Sequence, residues 1–330
     1  MSAPLTTRTI TRFAPAKVNL YLHVTKKRDD GFHELDSLAV FADIGDTVTV
    51  VPGQGLSLSI TGPFADDLDA GEDNLVLKAA RALATHAGVR RGAHITLDKH
   101  LPVASGIGGG SADAAATLKA LVDFWGIQPA DDDIHHVAHD VSSTADNASA
   151  LAALLTVWRD DVDTNRMRAI GLELGADVPA CLEGRPVFMG GIGERLTMPP
   201  DLPTAWLVLV NPGVAVSTPD VFKARTGDFS DPARFFEPIP DVQALAETLK
   251  TRRNDLAAPA IALCPVIGDV IAAIDAQTGC LLARMSGSGA TGFGLFDGQT
   301  TAMAAAHGLR AAHPDWWVEA TQIIDSPFDI

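Results

Sequence analysis

Apolar positions along this chain recur in two rhythms: a period of two, which suits strands, and a period near 3.6, which suits helices. Val18, Leu20, Leu22 and Val24 alternate over residues 18–25, predicting a strand with one buried face. A shorter strand is expected just before it at 9–13, and an apolar stretch fills 38–44. Residues 47–51 and 56–60 lie on either side of Pro52-Gly53-Gln54-Gly55, which predicts a hairpin. Leu75, Leu77, Ala79, Leu83 and Ala84 share one face of a helix over 74–87, and Gly88 is placed to end it. A strand at 93–97 and a helix over 112–124, stopped at Gly126, complete this half.

The later pattern is more mixed. A helix ends over 170–174, and strands are expected at 186–189 and 194–198. Pro199-Pro200-Asp201-Leu202-Pro203 reads as a linker. Beyond it come a fully apolar strand at 205–210 and a helix beginning at Pro219, with Thr218 as its cap. Helices at 242–250 and 266–276, strands at 280–285 and 292–296, a helix at 299–312 and a strand at 316–324 follow. Helices mixed with mainly antiparallel strands indicate an α+β fold. The linker divides the chain into expected domains 1–201 and 202–330.

Composition narrows the function classes. The 330 residues suffice for two domains with their own cores. A net charge of −16 argues against nucleic acid or an anionic membrane as a partner, so any phosphate bound here needs locally gathered cations. No uninterrupted apolar run reaches the length of a membrane span. Cys181, Cys264 and Cys280 lack metal-ligand spacing and read as reduced thiols, which points to a cytoplasmic protein. Arg8 and Arg12 stand among threonines without an apolar core, so the N-terminus reads as a short tail.

The stretch L-P-V-A-S-G-I-G-G-G-S-A-D-A-A-A, residues 101–116, changes the picture most. Strand, glycine loop and helix in succession can hold phosphate, because glycines let the backbone come close and the N–H groups of a helix start attract an anion. The loop has no Gly-Lys-Ser/Thr, and Ser111 stands where G-x-G-x-x-G needs its third glycine. A surface turn is the plainer alternative. Residues 287–292 do satisfy G-x-G-x-x-G, but the strand pattern after them excludes a dinucleotide fold. Lys17 in P-A-K-V-N-L and Asp177 in L-G-A-D-V-P are charged residues among apolar neighbours. Each reads alone as either an edge or turn residue or a functional charge.

P-A-K-V-N-L, P-x3-G-x-G-G-G-S and M-S-G-S-G-A-T together resemble the GHMP kinase superfamily. D-D-G-F-H-E-L, L-G-A-D-V-P and N-P-G-V-x-V-S-T-P-x-V-F-K look, within it, like the 4-diphosphocytidyl-2-C-methyl-D-erythritol kinases. The resemblance runs from about Phe13 to Phe296. It implies a ribosomal-protein-S5-like N-terminal domain, a ferredoxin-like C-terminal domain, and ATP-dependent phosphorylation of the 2-hydroxyl of the methylerythritol moiety. It implies Asp177 as the base or hydroxyl-orienting group and Lys17 as its electrostatic support. This suits phosphoryl transfer, which needs position and charge more than covalent help.

The resemblance further assigns ATP to Asn74, Leu75 and the loop Pro102, Val103, Ala104, Ser105, Gly106, Ile107, Gly108, Gly109, Gly110, Ser111 and Ala112, with Ser111 near Mg2+. It puts Phe32 and Phe222 on the two faces of the cytosine and His33 at its polar edge. Asn19, Thr218 and Gly289 are its further substrate contacts. Without the motifs, both phenylalanines would read as core residues. Another GHMP kinase, of homoserine or mevalonate type, and a nucleotide sensor without transfer remain alternatives. A homodimer is left open.

Two departures stand out. S-A-D-A-A puts Asp113 one turn into a phosphate-binding helix, so its charge is expected either to face away from ATP or to reach magnesium. Residues 135–166 look like an insertion, in which His135, His136 and His139 approach one helical face. A solvated helix is the plain reading there, a metal site the other.

Overall fold

The computed structural model describes residues 8–127 and 166–325. The apparent insertion, with its three histidines, lies outside the described residues except for Arg166. The fold is α+β, organised around one long strand. β2 (His33–Pro52) pairs along its length with four neighbours, β1 (Ile10–Lys27), β5 (Val187–Gly191), β4 (Ala93–Asp98) and β10 (Trp317–Ile324). β3 (Leu56–Thr61) and β6 (Arg195–Thr197) flank β4 and β5. β7 (Trp206–Asn211), β8 (Cys280–Met285) and β9 (Gly292–Phe296) extend the sheet beyond β10, in the order β3-β4-β2-β10-β7-β9-β8.

Two strand expectations are corrected. The segments at 9–13 and 18–25 form one strand, and β1 is buried on both faces from Ala14 to Val24. Its polar positions are covered because they have partners. The Tyr21 hydroxyl donates to Asp36 at 2.9 Å, and the Asn19 N–H donates to the Ser286 hydroxyl at 3.1 Å. The expected hairpin between 47–51 and 56–60 does not form. β4 inserts between them, antiparallel to β2 and parallel to β3. The reason is burial: Ala93, Ile95 and Leu97 of β4 reach the core, whereas β3 keeps every second residue exposed and suits the sheet edge.

The helices follow the pattern more closely. α1 (Leu75–His86) starts where the Asn74 side chain accepts the Val76 N–H at 2.9 Å, and α2 (Gly109–Trp125) ends at Gly126. Their apolar faces pack on β2 and β4 through Val76, Leu83, Leu118 and Leu121. Residues 166–174 are helical (α3) and lead to α4 (Val178–Glu183). α5 (Thr218–Ala224) is capped by Ser217, one residue before the expected Thr218, because the Ser217 hydroxyl accepts the Asp220 N–H. α6 (Val242–Lys250), α8 (Val266–Asp275) and α9 (Gln299–Ala312) match expectation, while α7 (Ala257–Leu263) was not foreseen. The strand after the 286–291 turn is β9, so the rejection of a dinucleotide motif there is borne out.

Candidate active site

A cleft of about 1510 Å³ is lined by the glycine loop, β1, the 28–35 segment, α5 and the 286–291 turn. β1 carries a register shift between Pro15 and Lys17, a kind of irregularity that re-aims a side chain. The Lys17 N–H donates to the Ile107 carbonyl at 2.8 Å, tying the strand to the loop. The side chain is 3 % exposed, and Nζ lies 2.7 Å from Asp177 Oδ1. Asp177 stands at the start of α4, but its side chain caps nothing, so the carboxylate is left for Lys17 and the cleft.

The glycine loop is shaped by two contacts. Gly106, at φ 77°, backs onto the 286–291 turn; a Cβ there would lie 2.5 Å from the Gly289 carbonyl oxygen. Gly108, at φ 64°, opens α2, and a Cβ there would lie 3.2 Å from Lys17 Cβ. Among the described residues no side chain caps α2, which leaves its first-turn N–H groups to an anion. The second turn holds the first in place. The Thr291 N–H donates to the Ser105 carbonyl at 3.1 Å, and the Ser286 hydroxyl donates to the Gly106 carbonyl at 3.1 Å.

The cleft brings together nearly all the residues the motifs singled out. Ile107 and Ala112 are the exceptions: both are packed in the core, and Ile107 contributes only its carbonyl. Asn74 and Leu75 line one end. Asn19 Nδ2 donates to the Ser37 hydroxyl at 2.8 Å, while its buried Oδ1 has no partner among the described residues. The Thr218 and Ser288 hydroxyls are 2.7 Å apart. His33 lines the cleft beside Phe222. Its ring stacks on Phe222, with centroids 5.1 Å apart and planes at 22°, because both belong to the apolar wall of this end. Burial lowers the His33 pKa, and the charges of Lys27 and Arg225 lower it further, so the ring is neutral at neutral pH. Phe32 is 59 % exposed and open to a ligand.

Sequence reasoning missed a buried ionic triad beneath the loop. Lys99 Nζ donates to Asp46 Oδ2 and, at 2.9 Å, to Asp113 Oδ2, and all three side chains are at most 3 % exposed. Asp46 Oδ1 also accepts the N–H groups of His100 at 2.5 Å and Leu101 at 2.8 Å, so it holds the segment that enters the glycine loop. Asp113 therefore turns toward Lys99 rather than toward solvent. Burial pushes its carboxyl pKa up, against the pull of the Lys99 ammonium. Burial alone would lower Lys99, but the two carboxylates outweigh it and raise the ammonium's pKa. The signals in the sequence are two charged residues, Lys99 directly between a strand and the loop and Asp113 one turn into the following helix.

Among the described residues no group of three or more His, Cys, Asp or Glu side chains could hold a metal. The Ser111 hydroxyl and the Asp177 carboxylate, both lining the cleft, are hard oxygen donors of the kind magnesium takes alongside nucleotide phosphates. Burial pushes the Cys181 thiol up to about 12, with the Asp177 charge adding to it, so it is no nucleophile here. No described helix is long and apolar enough to cross a membrane.

Comparison with known proteins agrees with this geometry. The GHMP kinases N terminal domain matches residues 74–142, and the GHMP kinases C terminal domain matches residues 238–315. A 4-diphosphocytidyl-2-C-methyl-D-erythritol kinase of Paramagnetospirillum magneticum is 52% identical over 94% of this chain and 97% of its own length. One of Rhodospirillum rubrum is 51% identical over 94% of this chain and 91% of its own. A crystal structure of 4-(cytidine 5'-diphospho)-2C-methyl-D-erythritol kinase superposes with a TM-score of 0.69 at 33% identity, covering 96% of this chain and all of that one. A homoserine kinase of Cytophaga hutchinsonii, at 17% identity and a TM-score of 0.70, shares the fold. The chain therefore belongs to the 4-diphosphocytidyl-2-C-methyl-D-erythritol kinase family of the GHMP kinases.

Proposed function

We propose that this kinase transfers the γ-phosphoryl group of ATP to the 2-hydroxyl of 4-diphosphocytidyl-2-C-methyl-D-erythritol, a step of non-mevalonate isoprenoid precursor synthesis. The observation that carries the reading is the Lys17–Asp177 pair at 2.7 Å, set beside the glycine loop and open to the cleft on its carboxylate side. Phosphoryl transfer asks for an oriented hydroxyl and for positive charge near the migrating group. Asp177 accepts the hydroxyl proton or orients it. Lys17 holds the carboxylate in position and steadies the charge that develops on the phosphoryl oxygens.

The first turn of α2 and the loop from Pro102 to Ser111 hold the ATP phosphates, with adenine at Asn74 and Leu75. Ser111 would hold Mg2+, which supplies charge neutralisation at the phosphates when bound. Phe32, His33 and Phe222 take the cytosine, and Asn19 Oδ1, Thr218 and Gly289 meet the rest of the acceptor. Residues 1–201 would then carry the donor site and 202–330 would close the cleft, in a cytoplasmic enzyme. The paired charges favour this reading over a sensor that binds ATP without transfer.

The test is Asp177→Asn. Single-turnover transfer is expected to fall about 10³-fold with ATP affinity unchanged; wild-type transfer would remove Asp177 from the mechanism. The intact enzyme offered the diphosphocytidyl acceptor, homoserine and mevalonate in turn should consume ATP only with the first. Turnover of either of the others would move the acceptor assignment.

A further inference from the structure

The charges lining the cleft are segregated. Its carboxylates are Asp69, Asp73, Asp113 and Asp177. Asp177 is paired with Lys17 and Asp113 with Lys99, while Asp69 and Asp73 stand at the Asn74 end. Among the described residues no carboxylate lines the opposite end, built from β1, the 28–35 segment and α5. Three cations do: Lys27, Lys223 and Arg225. Among the described residues none of the three has a carboxylate within ion-pair distance. Arg225 turns back on its own loop, where it donates to the Gly227 carbonyl at 3.3 Å and to the Asp228 carbonyl. Its guanidinium lies 4.8 Å from the Phe229 ring centroid, and its buried Nε has no partner among the described residues. These contacts fix the guanidinium without neutralising it.

In a chain of net charge −16, three uncompensated cations on one wall need an explanation. They adjoin the His33–Phe222 stack, and both Lys27 and Arg225 act electrostatically on the His33 ring. A cationic wall next to an aromatic stack matches a ligand with a planar base joined to a multiply charged anion. We infer that Lys27, Lys223 and Arg225 bind the diphosphate of the acceptor and so select a nucleoside diphosphate over an uncharged nucleoside. This rests on the proposed acceptor and adds to it the residues that recognise its anionic bridge. The two lysines act as mobile point charges, and Arg225 as a preset plane.

The inference is tested by calorimetric titration of the full-length enzyme, saturated with a non-hydrolysable ATP analogue so that the donor site is filled. CDP and cytidine are the probes. The wild type should bind CDP at least about tenfold more tightly than cytidine, with a preference that shrinks from 50 to 200 mM salt. The double variant Lys27→Gln/Lys223→Gln should lose about tenfold in CDP affinity, with cytidine and the ATP analogue held within about twofold. Adding Arg225→Gln should deepen the CDP loss; a triple variant no weaker than the double removes Arg225 from the wall. Cytidine binding with no preference for CDP, or a double variant that keeps the wild-type ratio, overturns this inference and leaves the acceptor reading standing. A wild type that binds neither probe overturns both.

Discussion

The two ends of the cleft are built on different principles. At the donor end the phosphate loop is made of backbone, and its shape is enforced from outside by Lys99, Asp46 and the 286–291 turn. At the end proposed for the acceptor the lining groups are side chains, several of them exposed: Phe32 at 59 %, Phe229 at 46 % and the two lysines. A phosphate presents the same oxygens every time, so a rigid frame of N–H groups serves it at no further ordering cost. A base on a flexible bridge is met by rings and charges that adjust, which spends some binding free energy on ordering.

The contrast breaks most sharply at Lys99. Lys99→Met leaves two buried carboxylates without their cation, and denaturant unfolding should show a loss of about 3–5 kcal/mol. The same variant should raise the KM for ATP, because Asp46 holds the entry to the loop. A stable Lys99→Met enzyme with normal KM would mean that the loop keeps its shape unaided. Phe222→Ala should act on the other end alone, weakening the acceptor by about 1–3 kcal/mol, read as a rise in its KM with the KM for ATP unmoved. Equal changes in both would deny the two ends their separate roles. Phe32→Ala should follow in the same direction by a smaller factor, since the exposed ring gives up less packing. The smallest effect is on His33. Removing one of the cations that lower its pKa, by Lys27→Gln, should move its NMR titration upward toward the ordinary histidine value of about 6.5; an unmoved titration would place Lys27 out of electrostatic reach of the aromatic stack.

These differences also explain what could be read from the chain beforehand. α1, α2 and α9 follow from periodicity and their stop residues, because local capping and one apolar face suffice to define them. Lys17 and Asp177 were found through the motifs around them, and their 2.7 Å pairing needed the fold. The hairpin was misread because the 52–55 turn gives no sign that another strand will enter between its arms. α7 escaped notice because Pro259 interrupts a short apolar run whose burial is decided by its neighbours. Asp46 lies 53 residues before Lys99, and nothing local to either of them or to Asp113 announces the triad. The contact between His33 and Phe222 depends on where α5 docks, which no local pattern announces.

The seam between the two glycine turns has a consequence for modularity. Ser105 and Gly106 give their carbonyls to donors that lie almost two hundred residues further along the chain. The first 201 residues carry the whole phosphate loop, but cut free they would lack the hydroxyl and the N–H that finish it. A chimera that borrows its C-terminal half from another kinase must bring a compatible turn of its own, or nucleotide binding is lost at the join. The glycine loop is completed from two distant addresses in the gene, and neither can be inherited without the other.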